Sequence, residues 1–364
     1  MAAAAQGKRL LVMAGGTGGH VFPALAVARQ LAQQGWQIRW LGTAERMEAR
    51  LVPQHGFDIS FINIKGVRGN GLLRKLGAPF KVLHAIWQAL RVIREFRPDV
   101  VLGMGGYASG PGGVAAKLAG IPLVLHEQNA VPGMTNRLLS KIAAKVLCAF
   151  DNTFTDVPAQ VVGNPVRAEL VALGESPKAV SNDAVKILVV GGSLGAKVFN
   201  EMLPETVARI SQSLSVTVWH QAGKGNQAAV QAQYQHWGQD DRVKVTDFID
   251  DMEAAYRWAD LVICRAGALT VSELATVGLP AIFVPLPHAV DDHQTRNARV
   301  LVDAGAAKLL PQLQLNVSSL SAAVQALAQD RTQLVQMGQQ ARTVAVLDAT
   351  TKVATECRTL AEKG

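Results

Sequence analysis

Two stretches of this 364-residue chain follow one local plan, and that repetition limits the fold more than any other feature. Leu10 opens LLVMAGGTGGHVFPALAVARQL and Ile187 opens ILVVGGSLGAKVFNEMLPETVARI, each reading as a buried strand, a glycine turn and a helix. Any strand-to-helix turn favours glycine, so one copy would say little. Two copies, each opening half of the chain, point to a duplicated, doubly wound α/β architecture.

The remaining periodicity agrees. Short apolar runs alternate with amphipathic stretches of about 10 to 15 residues, the pattern of strands and helices around parallel sheets. Strand candidates in the first half are Arg9 to Ala14, Gln37 to Gly42, Ile59 to Ile64, Asp99 to Gly103, Pro122 to His126 and Lys145 to Ala149. The second half offers Lys186 to Val190, Val216 to His220, Arg242 to Thr246, Asp260 to Cys264, Pro280 to Val284 and Ala307 to Leu310. Gly163 to Ala184 loses this pattern and gathers Pro165, Gly174, Ser176, Pro177 and Ser181. The expected plan is an N-terminal domain over 1–163, a linker over 164–185, a second domain over 186–346 and a terminal helix over 347–364, whose packing side the sequence leaves open.

With 49% apolar and 18% charged residues the chain can fill two cores. Three widely spaced cysteines, Cys148, Cys264 and Cys357, suggest neither a disulfide framework nor a zinc site. The N-terminus lacks the basic-then-apolar pattern of a signal peptide, and the long uncharged stretches are broken by glycine, proline or polar residues. The expectation is a cytosolic protein that does not span a membrane.

Net charge is +8, and its placement matters. From Lys65 to Arg97 there are eight basic residues and one acid, Glu95. Phe80, Leu83, Trp87 and Leu90 fall on one helical face there, with Lys81, Arg91 and Arg94 elsewhere on the helix and Leu72, Leu73 and Leu76 upstream. Core packing explains such a face as readily as lipid does; the charge favours an anionic membrane surface met by Leu76, Phe80, Lys81, Leu83 and Trp87. Nucleic acid is disfavoured, because no aromatic platform or recognised nucleic-acid motif accompanies the charge.

In open parallel sheets ligands bind beyond the carboxyl ends of the strands, where helix starts offer free N–H groups to anions. The turn Gly15 to His20 lies there and carries Thr17 and an ionisable His20. His20 as a helix cap or packed side chain is the plain alternative. A dinucleotide fingerprint fails because Val21 stands at its last glycine, and a P-loop fails because Ala196 precedes Lys197. No Asp-x-Asp occurs, so phosphate charge must be met by the protein itself.

The densest stretch runs from Cys264 to Ala298: a buried strand, a small-residue turn, then a helix with Ser272 and Glu273 in its first turns. A diphosphate suits those amides, and Glu273 could accept from ribose hydroxyls or merely stabilise the helix start. His288, Asp291, Asp292, His293, Gln294 and Asn297 then crowd a loop that suits sugar hydroxyls or solvent equally. In the first half, six glycines from Gly103 to Gly113 read as a mobile loop open to close approach, sharing a rim with Glu127 and Asn129. Gly105, Tyr107 and Ser109 of that loop could meet a ligand there or merely tie the loops together.

Taken in order, GGTGGHVFPALAVA, VLGMGGYASGPGG, LHEQNAVPG, VVGNPVR, VVGGSLGA, FIDDM, CRAGALTVSELATVGLPA and DDHQTRNA resemble glycosyltransferase family 28, within it the bacterial enzymes that add N-acetylglucosamine to undecaprenyl-diphospho-N-acetylmuramoyl-pentapeptide. The resemblance implies a GT-B fold, two Rossmann-like domains facing a deep cleft, with donor held mainly by the second domain and acceptor by the first. It places UDP-N-acetylglucosamine contacts on Thr17, Gly18, Gly19, Asn129, Arg167, Ser193, Ile249, Ala268, Leu269, Thr270, Val271, Ser272, Glu273 and Gln294, with Ile249 addressing the uracil through its backbone. Leu194 stands where some members carry glutamine.

An inverting transfer then needs a base for the muramoyl 4-hydroxyl: His20, with Glu127 as the second candidate. No metal or cofactor enters this scheme, and the expected location is the cytoplasmic face of the bacterial inner membrane, held peripherally. A UDP-sugar epimerase of the same fold and a non-catalytic nucleotide-sugar sensor stay open; the first would leave the basic, apolar window unused, the second would not need His20.

Overall fold

The computed structural model describes residues 7–64, 72–176, 183–192, 195–287 and 292–363; from 72 to 78 the backbone alone is described. The chain divides into two compact units, Met1–Arg167 with Val346–Gly364, and Ala168–Ala345.

In the first unit the strands are β1 (Arg9–Ala14), β2 (Gln37–Gly42), β3 (Asp58–Phe61), β4 (Val100–Gly105), β5 (Leu123–Glu127), β6 (Lys145–Cys148) and β7 (Gln160–Val161). They form an all-parallel sheet in the order β3-β2-β1-β4-β5-β6-β7. The helices are α1 (Gly18–Gln33), α2 (Met47–Gln54), α3 (Leu72–Phe96), α4 (Ser109–Leu118) and α5 (Met134–Leu139). Leu10, Val12 and Ala14 of β1 join one buried cluster with α1, while Leu11 and Met13 join the other with α3 and α4. Covering both faces explains why β1 is an unbroken apolar run rather than an alternating one.

The second unit repeats the plan. After α6 (Ala168–Glu175) come β8 (Val185–Val190), α7 (Lys197–Ile210), β9 (Val216–Gln221), α8 (Gln227–His236), β10 (Val243–Thr246), α9 (Met252–Trp258), β11 (Leu261–Cys264), α10 (Ala268–Val277), β12 (Ala281–Phe283), α11 (His293–Asp303), β13 (Ala307–Leu309), α12 (Val317–Ala328) and α13 (Arg331–Thr343). The parallel order β10-β9-β8-β11-β12-β13 matches the first six strands of the first sheet. In each sheet the direction of winding reverses between the first and fourth strands, and such a switch point opens a crevice at the strands' carboxyl ends.

Two differences from the sequence reading, and one point that it left open, have physical causes. First, the glycine-rich stretch is not a long mobile loop: β4 reaches Gly105 and α4 begins at Ser109. Gly112 lets α4 press onto β1 and Gly113 onto α5, since a Cβ there would stand 2.2 Å from Met13 Sδ and 2.6 Å from Leu139 Cδ2 respectively. Second, part of the expected linker is helical: α6 packs on α10 and belongs to the second unit. Third, the last helix, α14 (Ala349–Lys363), returns to the first unit, where Val353, Ala354, Cys357 and Ala361 complete the cluster under α1. The Lys8 ammonium donates to the Ala361 carbonyl at 2.8 Å and Lys145 pairs with Glu356 at 3.3 Å, holding the helix at its middle and near its C-terminus.

Candidate functional site

At the switch point of the first unit the chain leaves β1 through Gly15 and Gly16 and enters α1 at Gly18, with Thr17 in an extended conformation as its N-cap. The Thr17 side chain makes no capping bond, so the helix's first amides keep their usual freedom to meet a ligand. The loop after β4 crosses this turn closely: Gly15 N–H donates to the Gly105 carbonyl at 3.2 Å. Gly106, at φ +94°, brings its Cα so near that a Cβ would lie 2.6 Å from the Gly15 oxygen, which excludes any side chain.

His20 is fixed at this crossing. Its Nδ1 lies 3.0 Å from the Gly15 carbonyl oxygen. A carbonyl only accepts, so Nδ1 carries the proton and the neutral ring presents Nε2 as an acceptor. Nε2 and Cδ2 lie against the face of Gly105, where a Cβ would come within 3.0 Å of both. Tyr107 stands 43% exposed on the same rim, with the Arg46 guanidinium 5.4 Å from its ring centroid. Ser109, expected beside a ligand, is fully buried, its hydroxyl 2.7 Å from the Gly105 carbonyl and 3.0 Å from that of Met13; it ties the loop down from beneath.

Glu127, at the end of β5, is buried and both oxygens are taken: Oε1 accepts from the Asn129 amide and side chain at 2.9 and 3.2 Å, Oε2 from Asn136 Nδ2 at 2.8 Å and Gly133 N at 3.2 Å. This carboxylate, the second base candidate, organises the loop after β5 instead of facing outward. Asn129 is drawn into the same cluster. The Arg167 guanidinium lies 5.6 Å from the Phe22 ring centroid, one turn beyond the start of α1.

At the corresponding point of the second unit, β8 runs into Gly191 and Gly192. Ser193 and Leu194 lie outside the described residues, as do His288 and Asp291. Gln221, 3% exposed at the end of β9, accepts from Gly191 N–H at 3.2 Å and donates to the Gly192 carbonyl at 2.8 Å, bracing the turn.

From β11 the chain passes Arg265 and Gly267 into α10, which starts at Ala268. Arg265 donates to the Val284 and Pro285 carbonyls at 3.0 and 3.2 Å, locking the turn to the loop after β12. Ala268 and Val271 are buried, Leu269, Thr270 and Ser272 partly open, and the Ser272 hydroxyl donates to the Ala268 carbonyl at 3.0 Å. Glu273 is 5% exposed and accepts from the Tyr256 hydroxyl at 2.9 Å. Asn297, fully buried in α11, donates to the Ala266 carbonyl at 3.2 Å, and Gln294 accepts from Leu286 N–H at 2.8 Å. Ile249 is buried just before α9.

Three contributors lacked any sequence signal: Glu48 under the first glycine turn, Gln221 under the second, and Tyr256 against Glu273. Each is brought in by the fold from a separate element, at no fixed spacing from the motif it supports.

Two parallel sheets of one winding order, each with a glycine turn and a helix start at its switch point, are the two Rossmann-like domains of a GT-B fold. Residues 10–148 match the glycosyltransferase family 28 N-terminal domain and residues 186–353 the glycosyltransferase family 28 C-terminal domain. The chain belongs to glycosyltransferase family 28. It is 74% identical over 358 residues, 98% of its own length and 99% of the relative's, to the UDP-N-acetylglucosamine--N-acetylmuramyl-(pentapeptide) pyrophosphoryl-undecaprenol N-acetylglucosamine transferase of Shewanella baltica strain OS223. The crystal structure of Acinetobacter baumannii MurG superposes with a TM-score of 0.81 at 46% identity, covering 97% of this chain and 99% of that one. A UDP-GlcNAc 2-epimerase from Neisseria meningitidis bound to UDP-GlcNAc reaches a TM-score of 0.68 at 14% identity, covering 98% of this chain and all of that one; that likeness concerns the fold alone.

Proposed function

We propose that this enzyme transfers N-acetylglucosamine from UDP-N-acetylglucosamine to the 4-hydroxyl of N-acetylmuramic acid in an undecaprenyl-diphosphate-linked muramoyl-pentapeptide, with inversion, as a step of peptidoglycan synthesis. The full-length identity to relatives named for this reaction carries the proposal. The His20 tautomer supplies its chemistry.

The acceptor hydroxyl donates to His20 Nε2. As its oxygen bonds to C1 of the donor sugar, the proton passes to Nε2 and the bond from C1 to the β-phosphate oxygen breaks, its electron pair leaving with UDP. The imidazolium then returns its proton to solvent. Negative charge developing on the diphosphate is met by the first amides of α10, from Ala268 to Val271, aided by Ser193. Donors aimed at such charge are worth about 2.7–4 kcal/mol each in enzymes of other classes. Glu273, oriented by Tyr256, accepts from the ribose; the Ile249 backbone reads the uracil; Ser272, Leu269 and Gln294 complete the donor contacts of the second unit. Gly105 and Tyr107 form the acceptor rim, held from below by Ser109 and from the side by the Glu127 cluster.

The acceptor's lipid calls for a membrane surface. No helix among the described residues is long and apolar enough to cross a membrane. On α3, however, Phe80, Leu83 and Trp87 are 76%, 63% and 51% exposed, with Lys81 exposed beside them. That face would rest on the anionic cytoplasmic surface of the bacterial inner membrane. The side chain of Leu76, expected on the same face, lies outside the described residues.

The decisive experiment supplies the full chain with radiolabelled UDP-N-acetylglucosamine and the muramoyl-pentapeptide lipid in anionic vesicles. Label moving into the lipid is the expected result. Epimerised or hydrolysed sugar nucleotide with unlabelled lipid would overturn the assignment.

A further inference from the structure

Beneath the first glycine turn lies a carboxylate to which the reaction scheme above gives no task. Glu48, from α2, is 1% exposed. Its Oε1 accepts from Thr43 N–H at 3.1 Å and the Thr43 hydroxyl at 2.7 Å; its Oε2 accepts from Gly16 N–H at 2.9 Å. The cavity that receives it is made by missing side chains. A Cβ on Gly15 would fall 2.6 Å from the Glu48 carboxylate and one on Gly42 2.8 Å from its Cγ.

Gly16 N–H and the Gly15 carbonyl are the two ends of a single peptide group. Glu48 takes the hydrogen of that group, and the His20 Nδ1–H donates to its oxygen at 3.0 Å. A carboxylate drawing on the N–H end of an amide raises the electron density at its oxygen, and linked hydrogen bonds strengthen one another. We propose that Glu48 is a positioning residue for the transfer reaction, acting through the Gly15–Gly16 peptide to hold His20 with Nδ1 protonated and to stabilise the imidazolium formed when Nε2 takes the acceptor's proton. The peptide stands between carboxylate and imidazole, in the role a direct carboxylate–histidine contact fills in Ser-His-Asp hydrolases. The inference rests on His20 being the base.

The test is a double-mutant cycle with Glu48→Gln, close in shape but uncharged, and His20→Ala. Glu48→Gln is expected to lower kcat about tenfold, part of the roughly 10²–10⁴-fold that a general base contributes, with KM for UDP-N-acetylglucosamine nearly unchanged. In the His20→Ala background it should change the residual rate little. Equal losses in both backgrounds would mean that Glu48 serves the fold alone, and would overturn the relay while leaving the base intact. Undiminished kcat in His20→Ala would remove the base reading and the relay with it. Should Glu48→Gln fail to fold, ¹⁵N NMR of the unmodified protein decides: the neutral His20 ring is expected with its proton on Nδ1, and a proton on Nε2 would overturn the proposal.

Discussion

His20 illustrates how much one hydrogen bond decides. With Nδ1 committed to the Gly15 carbonyl, Nε2 is the atom left for proton transfer, and it lies against Gly105 at the crossing of two loops. His20→Ala is therefore expected to cut kcat by roughly 10²–10⁴-fold while the donor's Kd, read by calorimetry, stays within about twofold; equal losses in both would remove His20 from the base role. Tyr256 bears on the proposed donor site through Glu273. Removing its hydroxyl takes a donor from the buried Glu273 carboxylate, a change that costs about 1–3 kcal/mol in comparable settings. Tyr256→Phe should raise KM for UDP-N-acetylglucosamine severalfold and alter kcat less, whereas an unchanged KM would separate Glu273 from the ribose.

Among the elements, α3 shows what periodicity can and cannot tell. The sequence puts Phe80, Leu83, Trp87 and Leu90 on one face, but a 25-residue helix lying on a sheet has two apolar faces to distribute. Ala85, Ala89 and Ile93 take the core, Leu90 packs beside them, and Phe80, Leu83 and Trp87 are left outside. Three large apolar side chains left in solvent is the reverse of what packing alone selects, and it is what an amphipathic membrane contact needs. Each of the three large side chains would contribute about 1.5–3 kcal/mol on full burial in lipid. Replacing Phe80, Leu83 and Trp87 together by serine should abolish sedimentation with anionic liposomes and leave the melting temperature within a few degrees, because none is in the core. Lys81→Glu should weaken binding at low salt and matter little at high salt, since its contribution of about 1 kcal/mol is electrostatic.

At the scale of the whole molecule, each unit carries one fully buried histidine among the described residues. Burial lowers the His126 pKa to about 4, against a smaller opposing effect of its bond to the Gly163 carbonyl, and lowers that of His220 to about 3. Both rings are neutral in the fold, whereas the unfolded chain takes up a proton on each as pH falls through 6.5. Stability is thus complete above pH 6.5 and falls below it, each ring contributing at most about 1.4 kcal/mol per pH unit, until the folded rings also charge. Denaturant midpoints measured from pH 7.5 to 5 should fall in both units together, and His220→Phe should flatten the decline for the second. A midpoint that holds steady over this range would contradict the assignment.

What the sequence determined by itself was whatever depends on near neighbours along the chain. The strands Arg9–Ala14 and Gln37–Gly42 are legible residue for residue, because apolar runs bounded by turn residues are local signals. The two glycine turns, and hence the switch points where chemistry belongs, are legible for the same reason, and the ordered motifs supplied the family. Tertiary structure alone decided the rest. It placed Glu48 and Gln221 under turns 32 and 30 residues away in the chain, sent α14 back to the first unit, made α6 part of the second, and turned the glycines of α4 from a supposed loop into a packing surface. A lone acid at position 48 or a glutamine at 221 has no periodicity to mark it, and its meaning comes from the amide that the folded backbone brings to it. Partners far apart in sequence are selected by shape and by the need to satisfy buried polar groups, and neither requirement is written at a fixed spacing.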